Sequence, residues 1–127
     1  MSAFTDPIET YRAFIDALNR EDLGALDGFW SQPFVYATAD EAKVHPRYRE
    51  FVDFDGLRAA GWARTRIDSV EVLTHDGATV VLTSQVSRLR TDDSLLAVGK
   101  LTFVMSHVDG RWRIQFGLNH SNLSSGR

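Results

Sequence analysis

Two side chains with chemical capability stand among apolar neighbours, Tyr36 in F-V-Y-A-T and His120 near the end of R-W-R-I-Q-F-G-L-N-H. A phenol and an imidazole facing one cavity could donate, accept and pass on protons. Trp112, Ile114, Phe116 and Leu118 fall on every second position, and that parity places His120 next in an inward row. Gly117 leaves a second outcome open: a bulge there would add one residue, turn His120 outward and bring Asn119 inward. If His120 is inward, Tyr36 is its candidate hydrogen-bond partner, because a buried imidazole without one costs about 1–3 kcal/mol.

The other three histidines have plainer readings. His75 lies in an H-D-G-A turn, and His107 ends a strand at the rim of a sheet. His45 follows Asp40 and Glu41, carboxylates able to orient it as a base, in a stretch of mixed charge that reads as solvated surface. No H-x-x-x-H or H-E-x-x-H spacing occurs, and no phosphate-cradling or dinucleotide glycine pattern, so neither a metal nor a cofactor is expected. The absence of cysteine excludes disulfides, thiolate nucleophiles and thiolate zinc sites.

The elements that must position Tyr36 and His120 are legible in outline. T-D-P-I-E offers Asp6 as a helix cap, Pro7 at the first helical position and Glu9 three residues after the cap. Ile8, Tyr11, Ile15 and Leu18 then recur at helical spacing, with Phe14 on the flank, until Asn19. Asp22 caps a second short helix that buries Leu23, Leu26 and Phe29 or Trp30, and Pro33 closes this helical opening before a strand over 34–38. Residues 39–66 read as a loop or helical turn around H-P-R-Y-R-E-F, followed by a brief helix capped by Asp55 and stopped by Gly61. Four strands follow at about 67–74, 79–90, 95–108 and 111–121, divided by H-D-G-A, T-D-D-S and V-D-G-R.

Helices first and a meander last make an α+β chain, and 127 residues make a single domain spanning 1–127. About thirty helical residues cannot cover both faces of such a sheet. Along 79–90, Val80, Leu82 and Val86 form one face, while Thr79, Thr83, Gln85 and Ser87 form a polar, uncharged other, which suits burial against a second copy. A homodimer through the sheet is therefore expected. The net charge of −3 gives no footprint for nucleic acid. No run approaches the length of a membrane helix, and the start M-S-A-F-T-D-P lacks a leader pattern, so no membrane contact and a cytoplasmic location are expected.

A-L-N-R-E-D-L (17–23) followed by an aromatic near position 30, G-L-R-A before the meander, and D-G-R-W-R-I (109–114) occur in an order that resembles the nuclear transport factor 2-like superfamily, which includes SnoaL-type polyketide cyclases and ketosteroid isomerases. The resemblance covers nearly the whole chain. It implies a cone-shaped, cystatin-like fold, a curved antiparallel sheet wrapped around the N-terminal helix and a cavity, commonly as a homodimer. It also implies where an isomerase would carry its groups. The oxyanion tyrosine's position is Phe14, the aspartate base's position is Tyr36 or Thr38, and the second oxyanion donor's position is Leu101 ahead of Phe103. With all three replaced, that reaction has neither base nor oxyanion donor.

Phe14, Leu18, Trp30, Tyr36, Trp62, Leu101, Phe103, Phe116 and His120 are thus the expected lining of one apolar cavity. Two functions remain: binding of a small hydrophobic molecule, or small-molecule lyase, cyclase, isomerase or hydrolase chemistry with Tyr36 and His120 as the catalytic pair.

Overall fold

The structure, a computed structural model, describes residues 4–121; the first three residues of the start read above, and 122–127, lie outside it. Helix α1 runs Pro7–Asn19, and the carboxylate of Asp6 accepts the Glu9 amide at 2.9 Å. Satisfying one of the orphan amides of the first turn in this way fixes where the helix starts. Tyr11, Phe14 and Ile15 face the core. Helix α2, Leu23–Phe29, is capped by Asp22 through the Ala25 amide and buries Leu26 and Phe29, while Leu23, expected on the same side, is exposed in the first turn.

Trp30 opens a strand rather than closing α2: β1 spans Trp30–Ala37, with the Gln32–Pro33 peptide cis. The segment read as a loop or helical turn contains an unexpected short strand β2, Ala42–His45, paired antiparallel with β1, and then, within H-P-R-Y-R-E-F, the helical turn as a single 3-10 turn, Tyr48–Glu50. Helix α3, Phe54–Ala59, is capped by Asp53 and not by Asp55. Gly61 follows with φ +105, a conformation that suits glycine. The meander then forms as expected, with β3 Arg64–Asp76, β4 Thr79–Leu89, β5 Leu95–Val108 and β6 Arg111–Asn119. Gly77 (φ 56) and the Asp109–Gly110 pair (φ 54 and 77) supply the positive φ that tight hairpins require.

The six strands form one curved sheet in the order β2-β1-β6-β5-β4-β3. Neighbours are antiparallel except β1 and β6, which run parallel, because the chain returns after β5 to lay β6 between β5 and β1. The fold is α+β and cystatin-like, with the helices on one face. On that face Val80, Leu82, Phe103, Met105 and Ile114 are at most 2% exposed and pack under α1. Asn19 of the A-L-N motif ties the helix to the sheet. Its amide donates to the Thr65 carbonyl at 2.8 Å, and its oxygen accepts the Thr65 amide at 2.7 Å.

Candidate functional site

The core is not filled completely. Between α1 and the inner face of the sheet lies a cavity of about 50 Å³ lined by Phe14, Ile15, Leu18, Trp30, Tyr36, Tyr48, Thr65, Val86, Arg88, Leu101 and Phe103. That is room for a few waters at about 10–15 Å³ each. Leu18, Tyr36 and Arg88 are half-buried while the other lining residues are buried, so these three form its mouth.

Each polar lining group is placed by a specific local feature. Tyr36 follows the inward parity of Phe34 along β1 and crosses β6 at Gly117, where a Cβ would come within 3.0 Å of the Tyr36 ring and 3.1 Å of Trp30. The absence of that Cβ lets both aromatic rings lie against the strand. Tyr48 rides on the 3-10 turn, which is anchored through its neighbour: Asp27 of α2 accepts the Arg49 amide at 3.0 Å and pairs with its guanidinium. Tyr48 then stacks on Trp30 with ring centres 5.0 Å apart. Arg88 continues the inward series Val80, Leu82, Ser84 and Val86 on β4.

Electrostatics define what these groups can do. Burial raises the pKa of Tyr36, against the lowering effects of a hydrogen bond with the Asn119 side chain and of the Arg88 charge. Burial pushes Tyr48 far above the ordinary phenol value. Both phenols therefore stay protonated at neutral pH and act as donors, not as bases. The Trp30 indole N–H is buried without a hydrogen-bond partner among the described residues. Among the described residues no Asp, Glu or His lines the cavity.

A family model described as NTF2-like protein (DUF6841) matches residues 5–122. The chain belongs to this NTF2-like family. Solved structures with the same fold include an NTF2-like protein of unknown function from Shewanella oneidensis, at TM-score 0.66 and 16% identity, covering 90% of this chain and 95% of the other. An NTF2-like protein with a cystatin-like fold from Novosphingobium aromaticivorans aligns at TM-score 0.70 and 15% identity, over 94% and 82%. A protein named as a candidate dehydratase of the NTF2-like family from Streptomyces avermitilis aligns at 0.68 and 14%, over 94% and 96%. No curated protein matches the chain.

Within this NTF2-like domain, Phe14, Leu18, Trp30, Tyr36, Leu101 and Phe103 meet around the cavity. Three residues expected there do not. Trp62 is buried elsewhere, beside Phe54, and its indole donates to Thr65 Oγ1 at 2.9 Å. Phe116 faces the other side of the sheet, next to the inward Gly117. His120 is exposed, with Nε2 2.7 Å from the Thr102 hydroxyl. The cause is a register shift in β6. Met105 pairs with Ile114 but Val104 pairs with Phe116, so Gln115 is an extra residue and every later side chain changes face. Asn119 becomes fully buried, and the partner that Tyr36 finds is Asn119 in place of His120. The bulge lies two residues before Gly117.

Tyr48 and Arg88 are cavity residues that the sequence reading passed over. Arg88 had a usable signal, since it stands two residues beyond Val86 in the same inward row. Tyr48 had none, because its position depends on how an irregular segment folds back over β1. His45 packs against Phe34 and Phe51 at 5.3 and 4.8 Å, and His75 and His107 are exposed against Trp112.

Proposed function

We propose that this NTF2-like domain binds a small, largely apolar molecule in the cavity beneath α1 and does not perform base-catalysed isomerisation. The observation that carries this is the chemistry of the lining: aromatic and aliphatic walls, a few convergent donors, and no group able to take a proton at neutral pH. Of the positions where the resemblance puts an isomerase's working groups, Phe14, Tyr36 and Leu101 reach the cavity and offer one phenol between them, and Thr38, the other candidate for the base's position, is not in its lining. The alternative in which Tyr36 and His120 act together as an acid/base pair loses its base, since His120 is on the outer face. The dehydratase name attached to the Streptomyces avermitilis protein keeps lyase chemistry in view. Such chemistry would need a proton acceptor brought by the substrate.

A cavity this small admits a ring only if its mouth opens, and Leu18 is the apolar side chain placed to swing aside. Benzyl alcohol, a neutral probe, should raise the melting temperature, because a ligand that binds only the folded state stabilises it. Leu18→Trp, which fills the mouth, should abolish that rise. An equal rise in both proteins would count against the cavity as the site.

We further propose that the domain works in the cytoplasm as a homodimer through the outer face of the sheet. Val35, Phe116, Val104 and Val81 are paired side by side across β1, β6, β5 and β4, half-buried, on the face away from the helices. Among the described residues no helix is long and apolar enough to cross a membrane.

A further inference from the structure

Six arginines, Arg12, Arg47, Arg49, Arg58, Arg64 and Arg66, hold carboxylates, all towards the surface. Arg88 is different. It lines the cavity, and among the described residues its guanidinium has neither a carboxylate nor a hydrogen-bond acceptor. Taking a guanidinium partly out of water without a partner is unfavourable, so the fold alone gives no reason for an arginine here.

Its neighbours sharpen the point. The Tyr48 hydroxyl has no hydrogen-bond partner among the described residues, and neither has the Trp30 indole N–H. Tyr36 and Tyr48 both feel the Arg88 charge, and Arg88's own pKa is lowered by burial. One cation, two phenols and the Trp30 ring thus line a space that, among the described residues, has no carboxylate. A set of donors without a carboxylate among them is completed by an anion, and a planar guanidinium sharing a cavity wall with two phenols suits the two oxygens of a carboxylate.

We infer that the cavity recognises an apolar acid, with its carboxylate seated on Arg88 between the Tyr36 and Tyr48 hydroxyls and its hydrocarbon part against Phe14, Leu18 and Phe103. This rests on the cavity being the binding site and names the class of molecule it takes. The bland alternative is an arginine whose stem packs on apolar neighbours while its head reaches water. That alternative predicts no preference for acids.

The test uses acetate, butyrate and benzoate, each beside its amide, titrated calorimetrically into the full-length wild-type protein, Arg88→Met and Arg88→Lys at pH 7. The expected result is that butyrate or benzoate binds the wild type about ten- to hundredfold more tightly than its amide, the range for a charged hydrogen-bonded contact. Arg88→Met should erase that preference while still binding the amide, and Arg88→Lys should keep part of it. The unliganded Arg88→Met protein should melt at the same temperature as wild type or higher, since an unpartnered partly buried charge has been removed. Acid and amide binding equally to the wild type would overturn the carboxylate assignment and leave the cavity as a binding site. Failure of every probe to bind would overturn both. A preference for acids that survives in Arg88→Met, or a large loss of stability in that variant without ligand, would show that Arg88 serves the fold and not the ligand.

Discussion

The chain has three tyrosines; Tyr11 and Tyr48 are buried, Tyr36 is half-buried at the cavity mouth, and burial raises the pKa of each. Tyr11 donates to Ser84 Oγ at 2.9 Å, yet burial dominates and pushes its pKa from 10.0 up to about 12. Tyr36 and Tyr48 shift the same way. A phenol whose pKa is higher folded than unfolded stabilises the fold equally at every pH below the unfolded value. That stability drains away as the unfolded chain ionises above pH 10 and is gone once the folded value is passed. Absorbance at 295 nm should therefore stay flat through pH 10 and then rise in one step with unfolding. A normal phenol titration at pH 10 in folded protein would contradict the burial of these rings. At Gly117, Gly117→Ala forces a Cβ against Tyr36 and Trp30, and should cost about 1–3 kcal/mol in urea unfolding by overpacking. Arg88 was within reach of sequence reasoning, because the inward row of β4 extends to it.

At the scale of elements, legibility follows the range of the interactions. The helix α1 and the hairpins of the meander are specified by caps, turn residues and periodicities within a few positions, and these agree with the structure. Strand β2 was not legible, since A-K-V-H lacks alternation and is held by pairing with β1. The bulge at Gln115 was not legible either, because it exists only in the register between β6 and β5. Its consequence can be measured at adjacent residues. Asn119 is fully buried, bonded to Tyr36, and accepts the Ser121 amide at 3.0 Å, so Asn119→Ala should cost about 1–3 kcal/mol. His120 is exposed, and His120→Ala should change stability by no more than about 0.5 kcal/mol. Chemical denaturation of the two variants giving the reverse order would restore the uninterrupted alternation that the sequence suggests.

At the scale of the molecule, three helices cover one face of a six-stranded sheet and leave the row Val35, Phe116, Val104 and Val81 on the other. A second copy laid on that row would complete its burial, and light scattering at micromolar concentration should give twice 14.3 kDa. Phe116→Glu should shift the mass to 14.3 kDa without unfolding, because that side chain is outside the core. On the helical side, the cavity gives the domain its proposed role, and its three tryptophans allow that role to be read directly. Trp30 lines the cavity with an indole N–H lacking a partner among the described residues, Trp62 donates its own to Thr65, and Trp112 lies near His75 and His107. In a proton–nitrogen correlation spectrum, titration with benzoate should move the Trp30 indole resonance progressively and leave those of Trp62 and Trp112 in place. Movement of the Trp112 resonance with Trp30 unchanged, or no movement at saturating probe, would contradict the cavity beneath α1 as the binding site.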